Sequence, residues 1–293
     1  MSCPCCSPPP SEYRRLFNRR IAGHDARRYR RRGLPRSARD LAALAGDVAG
    51  ATVLDVGGGI GTLGLELLEA GAARATNVEL SAGYEEAAAA LLSEHHLAER
   101  MERRVGDFVA DADLVEPHDL VVLHRVVCCY PDADALVGRA AQHTRGRLLL
   151  TYPRERALSR LGVRAVNLWL RLTGCGFRTY AHPVATIFAA AERAGLALES
   201  RATQGAIWEN AAFRRHTGSA AFSNRAPGDQ IPVEPEHRES DAEDRASERA
   251  ADATTESRRR RGEEDVPIEE QDTQAYRPIL DDAAAYEDDG ESS

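Results

Sequence analysis

Residues 53–64 read VLDVGGGIGTLG, with the carboxylate of Asp55 immediately ahead of glycines at 57, 58, 59 and 61. An apolar run that ends in an acid and then turns through glycines suits a strand passing into a helix around a ligand. Glycine permits the unusual dihedrals of that turn and lets a bound group come close to the backbone. Glu79 lies 22 residues beyond Gly57, with Leu80 after it, at the end of a second apolar run. A carboxylate there can accept both hydroxyls of a ribose. A third acid, Asp107, stands in VGDF with Phe108 beside it. His124 and Arg125 close a fourth run, DLVVLH. The imidazole is a candidate general base, and the guanidinium a candidate clamp for an anionic substrate. Tyr130 follows that run and Tyr152 ends a fifth, so both are candidates to wall an acceptor pocket.

The elements that must position these groups follow from the pattern of the chain. Short β-branched runs at 51–56, 74–79, about 102–105, 119–124 and 147–152 predict strands, and 62–70, 82–96, 132–143 and 157–173 predict helices between or after them. Alternation of this kind predicts an α/β fold with a mostly parallel, doubly wound sheet covered on both faces. A helix at 182–194 leads into runs at 196–203 and 206–213, separated by Gln204 and Gly205, which predict a closing antiparallel hairpin. In such a sheet the loops bearing Asp55, Glu79 and Asp107 meet at the carboxyl ends of the strands, near the switch point.

With Glu79 and Asp107 in register behind it, the segment Asp55-Val56-Gly57-Gly58-Gly59-Ile60-Gly61 resembles the class I S-adenosylmethionine-dependent methyltransferases over roughly 40–215. The resemblance implies a Rossmann-like seven-stranded sheet and S-adenosylmethionine as cofactor. It implies that Asp55, Gly57, Gly58, Gly59, Gly61, Glu79, Leu80, Asp107, Phe108 and His124 bind it. The glycine loop would pack on its methionine part, Glu79 would hold the ribose diol and Asp107 would meet the adenine amine. Asp55 would organise the loop and the methionyl ammonium, and Phe108 would pack on the adenine ring or in the core. The layout is also loosely similar to magnesium-protoporphyrin O-methyltransferases, though that layout is widely shared and implies no porphyrin substrate. A nicotinamide enzyme is the competing nucleotide binder, since Gly59, Gly61 and Gly64 also satisfy G-x-G-x-x-G. A catalytically silent S-adenosylmethionine-binding or scaffolding protein is the alternative from another class.

The fourth run continues HRVVCCYPD, which lacks the Asn/Asp-Pro-Pro-aromatic signature of amino methylation on bases. After the fourth run no thiol sits in the Pro-Cys setting of cytosine C5 chemistry. These features favour a small-molecule acceptor over nucleic acid. Residues 11–33 predict one or two amphipathic helices with Tyr13, Leu16, Phe17 and Ile21 on one face and arginine on the others. In relatives, such helices cap the acceptor pocket. That places Phe17 and Tyr29 in a lid, with arginines for an anionic substrate or, on the competing reading, for phosphate of RNA or DNA.

Charge divides the chain further. The formal net charge is -8, and every basic residue is arginine. Residues 1–40 carry eleven Arg against Glu12, Asp25 and Asp40, whereas 226–293 carry 22 acids against eight Arg. The domains expected are a basic helical cap at 1–40, the methyltransferase domain at 41–220 and a disordered acidic tail at 226–293 that partly screens the cap. The longest apolar runs are broken by His and Arg, so no membrane span is expected, and the N-terminus has no apolar secretory core. Cys3, Cys5, Cys6, Cys128, Cys129 and Cys175 therefore read as free thiols in a reducing cytoplasm, with no metal site expected. A soft metal or metalloid shared between the two clusters is the alternative. Oligomeric state is not legible.

Overall fold

A computed structural model describes residues 10–204 and 207–215. Cys3, Cys5, Cys6, the hairpin-turn residues 205–206 and the acidic tail lie outside the described residues. The described residues fall within one compact unit.

The apolar runs form seven strands: β1 (Thr52–Val56), β2 (Arg74–Glu79), β3 (Met101–Val105), β4 (His118–Leu123), β5 (Thr144–Pro153), β6 (Leu196–Gln204) and β7 (Trp208–Arg215). They lie in the order β3-β2-β1-β4-β5-β7-β6. The first five are parallel to their neighbours, and β7 runs antiparallel to both β5 and β6. The expected doubly wound sheet with its terminal hairpin is the observed fold. The strand order reverses beside β1, which opens a crevice at the carboxyl ends of β1 and β4.

The alternation of side chains along each strand builds two cores. Val53, Leu120, Val122 and Leu149 face one layer, which holds α2 (Arg19–Arg32), α3 (Arg36–Ala43), α4 (Thr62–Glu69) and α5 (Glu85–Glu94). Leu54, Val121, Leu123, Leu148 and Leu150 face the other, with α6 (Phe108–Asp111), α7 (Ala133–Gln142) and α9 (Val184–Arg193). Each fully buried leucine contributes about 1.5–3 kcal/mol relative to exposure. Two-sided burial explains why these strands are apolar throughout.

The N-terminal stretch forms two helices, α1 (Pro10–Leu16) and α2, because Asn18 caps the second through Arg20 N–H and Ile21 N–H. A third small core joins α1 to α8 (Ala157–Leu172) through Tyr13, Leu170 and Phe177. Phe177 meets Tyr13 and Phe17 edge-on, at centroid distances of 5.2 and 5.4 Å. Among the described residues no helix is long and apolar enough to cross a membrane.

Candidate active site

A cleft of about 740 Å³, solvent at its mouth included, opens at the carboxyl ends of the strands. Its floor is the β1–α4 turn. Gly57 has φ +65°, and a Cβ there would lie 2.4 Å from Val126 Cγ2. Strain and contact both require glycine, and the bare backbone lies close against the β4 loop. At Gly58 a Cβ would stand 2.1 Å from Asp55 Oδ2, so the turn lies directly on that carboxylate. Asp55 is fully buried and accepts from Asn77 Nδ2 at 3.1 Å. Its Oδ1 has no hydrogen-bond partner among the described residues. Burial pushes its pKa up to about 6, with Asn77 and Arg103 opposing the rise.

Glu79 caps the turn from the next strand. Its Oε2 accepts the Gly59 N–H at 3.0 Å and its Oε1 the Ser81 N–H at 2.9 Å. Burial raises its pKa against these bonds. Arg103 donates to the Gly59 carbonyl at 3.0 Å and to Glu85 at 2.7 Å, so the loop is pinned on both sides of Gly59. Just past the end of the neighbouring strand β3, Asp107 caps α6 through the Val109 N–H at 2.9 Å, and Tyr130 donates to its two oxygens at 3.2 and 3.1 Å.

Gly57, Gly59, Glu79, Leu80, Asp107, Phe108, Arg125, Tyr130 and Phe17 all line the cleft. Phe108 also belongs to the second core, and its ring packs edge-on against His143. Arg125 is held with φ +57°, and its guanidinium lies 4.8 Å above the Trp208 ring. Gly58 and Gly61 shape the turn from behind the lining.

Four expected residues stand elsewhere. Asp55 lies under the loop instead of in the cleft wall, because its carboxylate is spent on Asn77 and the turn. His124 is outside the lining, with Nε2 3.1 Å from Ser37 Oγ on α3. Burial and the Arg125 charge lower its pKa to about 3, which leaves it a poor proton acceptor and corrects its reading as general base. Tyr29 is corrected from lid to core: α2 turns it onto α4, where its hydroxyl donates to Glu66 at 2.9 Å. Tyr152 is corrected from pocket wall to core: it is fully buried, edge-on to Phe188, and donates to Glu209 at 3.0 Å.

Other groups in the site were absent from the sequence reading. Tyr13 and Tyr84 line the cleft, and the Tyr13 hydroxyl donates to the Cys129 carbonyl at 2.9 Å. Arg103 and Asn77 carried a visible signal, being polar residues inside strands of a buried parallel sheet. Tyr13 carried only its place on the amphipathic face, because only the packing of α1 brings it to the β4 loop.

A family profile described as a methyltransferase domain matches residues 26–201. This chain belongs to the methyltransferase domain family. The fold and glycine loop make the domain a class I S-adenosylmethionine-dependent methyltransferase. Solved structures agree with the fold. The magnesium protoporphyrin IX methyltransferase of Synechocystis, with bound SAH, has a TM-score of 0.51 at 19% identity, over 70% of this chain and 93% of that one. An O-methyltransferase family protein of Burkholderia thailandensis gives 0.53 at 21% identity, over 70% and 64%. The O-methyltransferase family 2 protein of Planctomyces limnophilus, in complex with apigenin, gives 0.51 at 19% identity, over 67% and 62%. No match was found among curated proteins. The methyltransferase domain's cleft suits its cofactor: two carboxylates face it from adjacent strand ends, and the glycine turn leaves a floor that side chains would fill.

Proposed function

We propose that this methyltransferase domain acts on a small-molecule acceptor, with Glu79 and Asp107 holding the two ends of the adenosine. The observation that carries this reading is Glu79. It is held by two backbone N–H groups on the wall of a cleft that Asp107 also lines from the end of the neighbouring strand. Glu79 has acceptor capacity left for a ribose diol, and Asp107 can accept from an adenine amine while Phe108 and Tyr130 wall the ring. Gly57 and Gly59 offer backbone to the methionine part, and Leu80 packs beside the ribose. The cofactor, when bound, supplies an electrophilic methyl group on a sulfonium.

Methyl transfer is an in-line displacement, so the chain's task is to orient the acceptor and exclude water. Tyr13 on α1 and Phe17 just after it line the cleft. With His124 turned onto Ser37, the base role falls to no neutral imidazole in the cleft, which favours an acceptor that needs none, such as a carboxylate or thiolate. Arg125, braced on Trp208, gives the cleft wall a cation for an anionic acceptor. A cytoplasmic setting is the companion proposal, resting on adjacent free thiols.

Calorimetry with S-adenosylhomocysteine tests the binding half. Glu79→Ala should weaken binding about tenfold or more, as loss of charge-assisted hydrogen bonds requires. Equal affinity in the variant would overturn the assignment. Turnover with carboxylate and thiol acceptors then separates an enzyme from a silent binder or scaffold.

A further inference from the structure

Two adjacent thiols, one of them in the cleft wall, are used by none of this chemistry. Cys128 and Cys129 are adjacent in a short 3-10 turn (Val127–Cys129) after β4, and their sulfurs stand 3.6 Å apart. Both sulfurs point to the same side, since each also lies within reach of the Arg125 carbonyl, at 3.3 and 3.6 Å. Cys128 is buried, and Cys129 lines the cleft.

The turn is held from three sides. The Cys129 N–H donates to the Val126 carbonyl at 2.8 Å, the Tyr180 N–H to the Cys128 carbonyl at 2.7 Å, and the Tyr13 hydroxyl to the Cys129 carbonyl at 2.9 Å. Two sulfurs fixed in this way form a preorganised bidentate ligand. The Cys129 thiol and the Arg125 charge draw the Cys128 pKa down, whereas the partner sulfur and burial push Cys129 up. One sulfur is thus the readier nucleophile, and the other remains a neutral thiol until a ligand takes its proton.

The separation selects the ligand. With each bond to sulfur about 2.3 Å long, 3.6 Å between the sulfurs corresponds to an angle of roughly 100° at a shared centre. That excludes linear two-coordinate ions and suits a pyramidal or tetrahedral soft centre. Among the described residues no group of three or more Cys, His, Asp or Glu is placed to hold a metal ion. The centre must therefore be satisfied by two protein sulfurs and bring its own third substituent, as a trivalent monosubstituted arsenical does. We infer that Cys128 and Cys129 form a dithiol site for a soft trivalent metalloid on the wall of the methyl-donor cleft.

Ligation balances without redox change. With phenylarsine oxide, two S–H bonds and the arsenic–oxygen linkage are replaced by two As–S bonds. Both thiol protons leave with the oxygen as one water, and arsenic stays trivalent.

The experiment uses the reduced full-length chain and phenylarsine oxide, read by intact mass. Cys3, Cys5 and Cys6 are replaced by Ser in a parallel sample. One adduct per chain is expected in the wild type and in the N-terminal triple variant. It should be reversed by a dithiol but not by excess monothiol, and be retained in Cys175→Ser. Cys129→Ser should lose it, as should Cys128→Ser. If burial makes Cys128→Ser fold poorly, Cys129→Ser and the dithiol-selective reversal on wild type decide the matter. An adduct that survives Cys129→Ser, that a monothiol removes, or that vanishes in the N-terminal triple variant overturns the site. Placement in the donor cleft rests on the proposed function and is read separately. Saturating S-adenosylhomocysteine should slow adduct formation at least about fivefold, and an unchanged rate, with binding verified by calorimetry, overturns that placement. An adduct on a chain that does not bind S-adenosylhomocysteine leaves the dithiol site standing and defeats only the proposed function.

Discussion

The Tyr130 hydroxyl donates to both carboxylate oxygens of Asp107, at 3.2 and 3.1 Å, and joins the loop after β4 to the N-terminus of α6. The bond fixes the far end of the cleft before any ligand arrives, and it leaves the carboxylate oriented toward the lining. Burial and the Asp107 charge together hold the phenol well above its ordinary pKa, so it remains a donor at all physiological pH.

Asp107 and Tyr130 should therefore rank unequally. Asp107→Ala removes the acceptor itself and should weaken S-adenosylhomocysteine about tenfold or more. Tyr130→Phe keeps the wall and loses only the orienting bond, so a change of about two- to fivefold is expected. Calorimetry on both variants checks the order; a larger loss in Tyr130→Phe would show that the phenol, not the acid, binds the ligand.

Asp55 should make stability depend on pH with the sign opposite to a paired carboxylate. Its folded pKa, about 6, lies above the ordinary 3.8, so the folded state binds a proton more tightly than the unfolded chain. Stability is fully present below about pH 4 and falls as pH rises through about 6, by about 3 kcal/mol at most from this group. Asp55→Asn keeps an acceptor for Asn77, so the variant should melt higher than wild type at pH 7.5 and lose most of that increment at pH 4.5. Thermal melts at the two values test it, with identical shifts counting against the burial argument.

Gly57→Ala meets two separate penalties: a positive φ and the Val126 side chain. We expect a loss of about 1–3 kcal/mol in denaturant unfolding and a collapse of cofactor affinity. Val126→Ala in the same chain should restore part of the stability by clearing the contact, but not the part due to φ. Complete restoration would mean that backbone strain contributes nothing.

His124 should be dispensable for proton transfer. With its pKa near 3 and its ring against Ser37, it is neutral across the working range. His124→Gln should leave the pH–rate profile without a lost limb near pH 6.5, with kcat within about fivefold. The same shift predicts that stability is lost as pH falls from about 6.5 toward 3, because the unfolded chain takes up the proton first. Denaturant midpoints at pH 7 and 4.5 should therefore converge in the variant.

Much of this protein is written locally. The glycine turn, the carboxylates at 79 and 107, the alternation of strand and helix and the closing hairpin are properties of adjacent residues. Dihedral requirements and side-chain periodicity act over a few positions, and the fold carries them out. Phe17 was legible because an amphipathic face must be buried somewhere. Tyr29 and Tyr152 were not, because the same patterns that mark an aromatic as buried are silent on whether it meets a cleft or a neighbouring helix. His124 illustrates the limit: its place after β4 is sequential, whereas its pairing with Ser37, 87 residues away, depends on how α3 crosses the sheet.

The sequence by itself determined the strand order's raw material and the acids at 79 and 107 that line the cleft, since each depends on local turn chemistry and on spacing along one chain. Only the tertiary structure decided that Asp55 supports the loop from below, that Arg103 and Tyr13 join the site, and that Cys128 and Cys129 face the same side of a fixed turn. Those outcomes rest on contacts between segments distant in sequence, for the cysteine turn through Tyr13 and Tyr180, where burial, not spacing, assigns each polar group its partner.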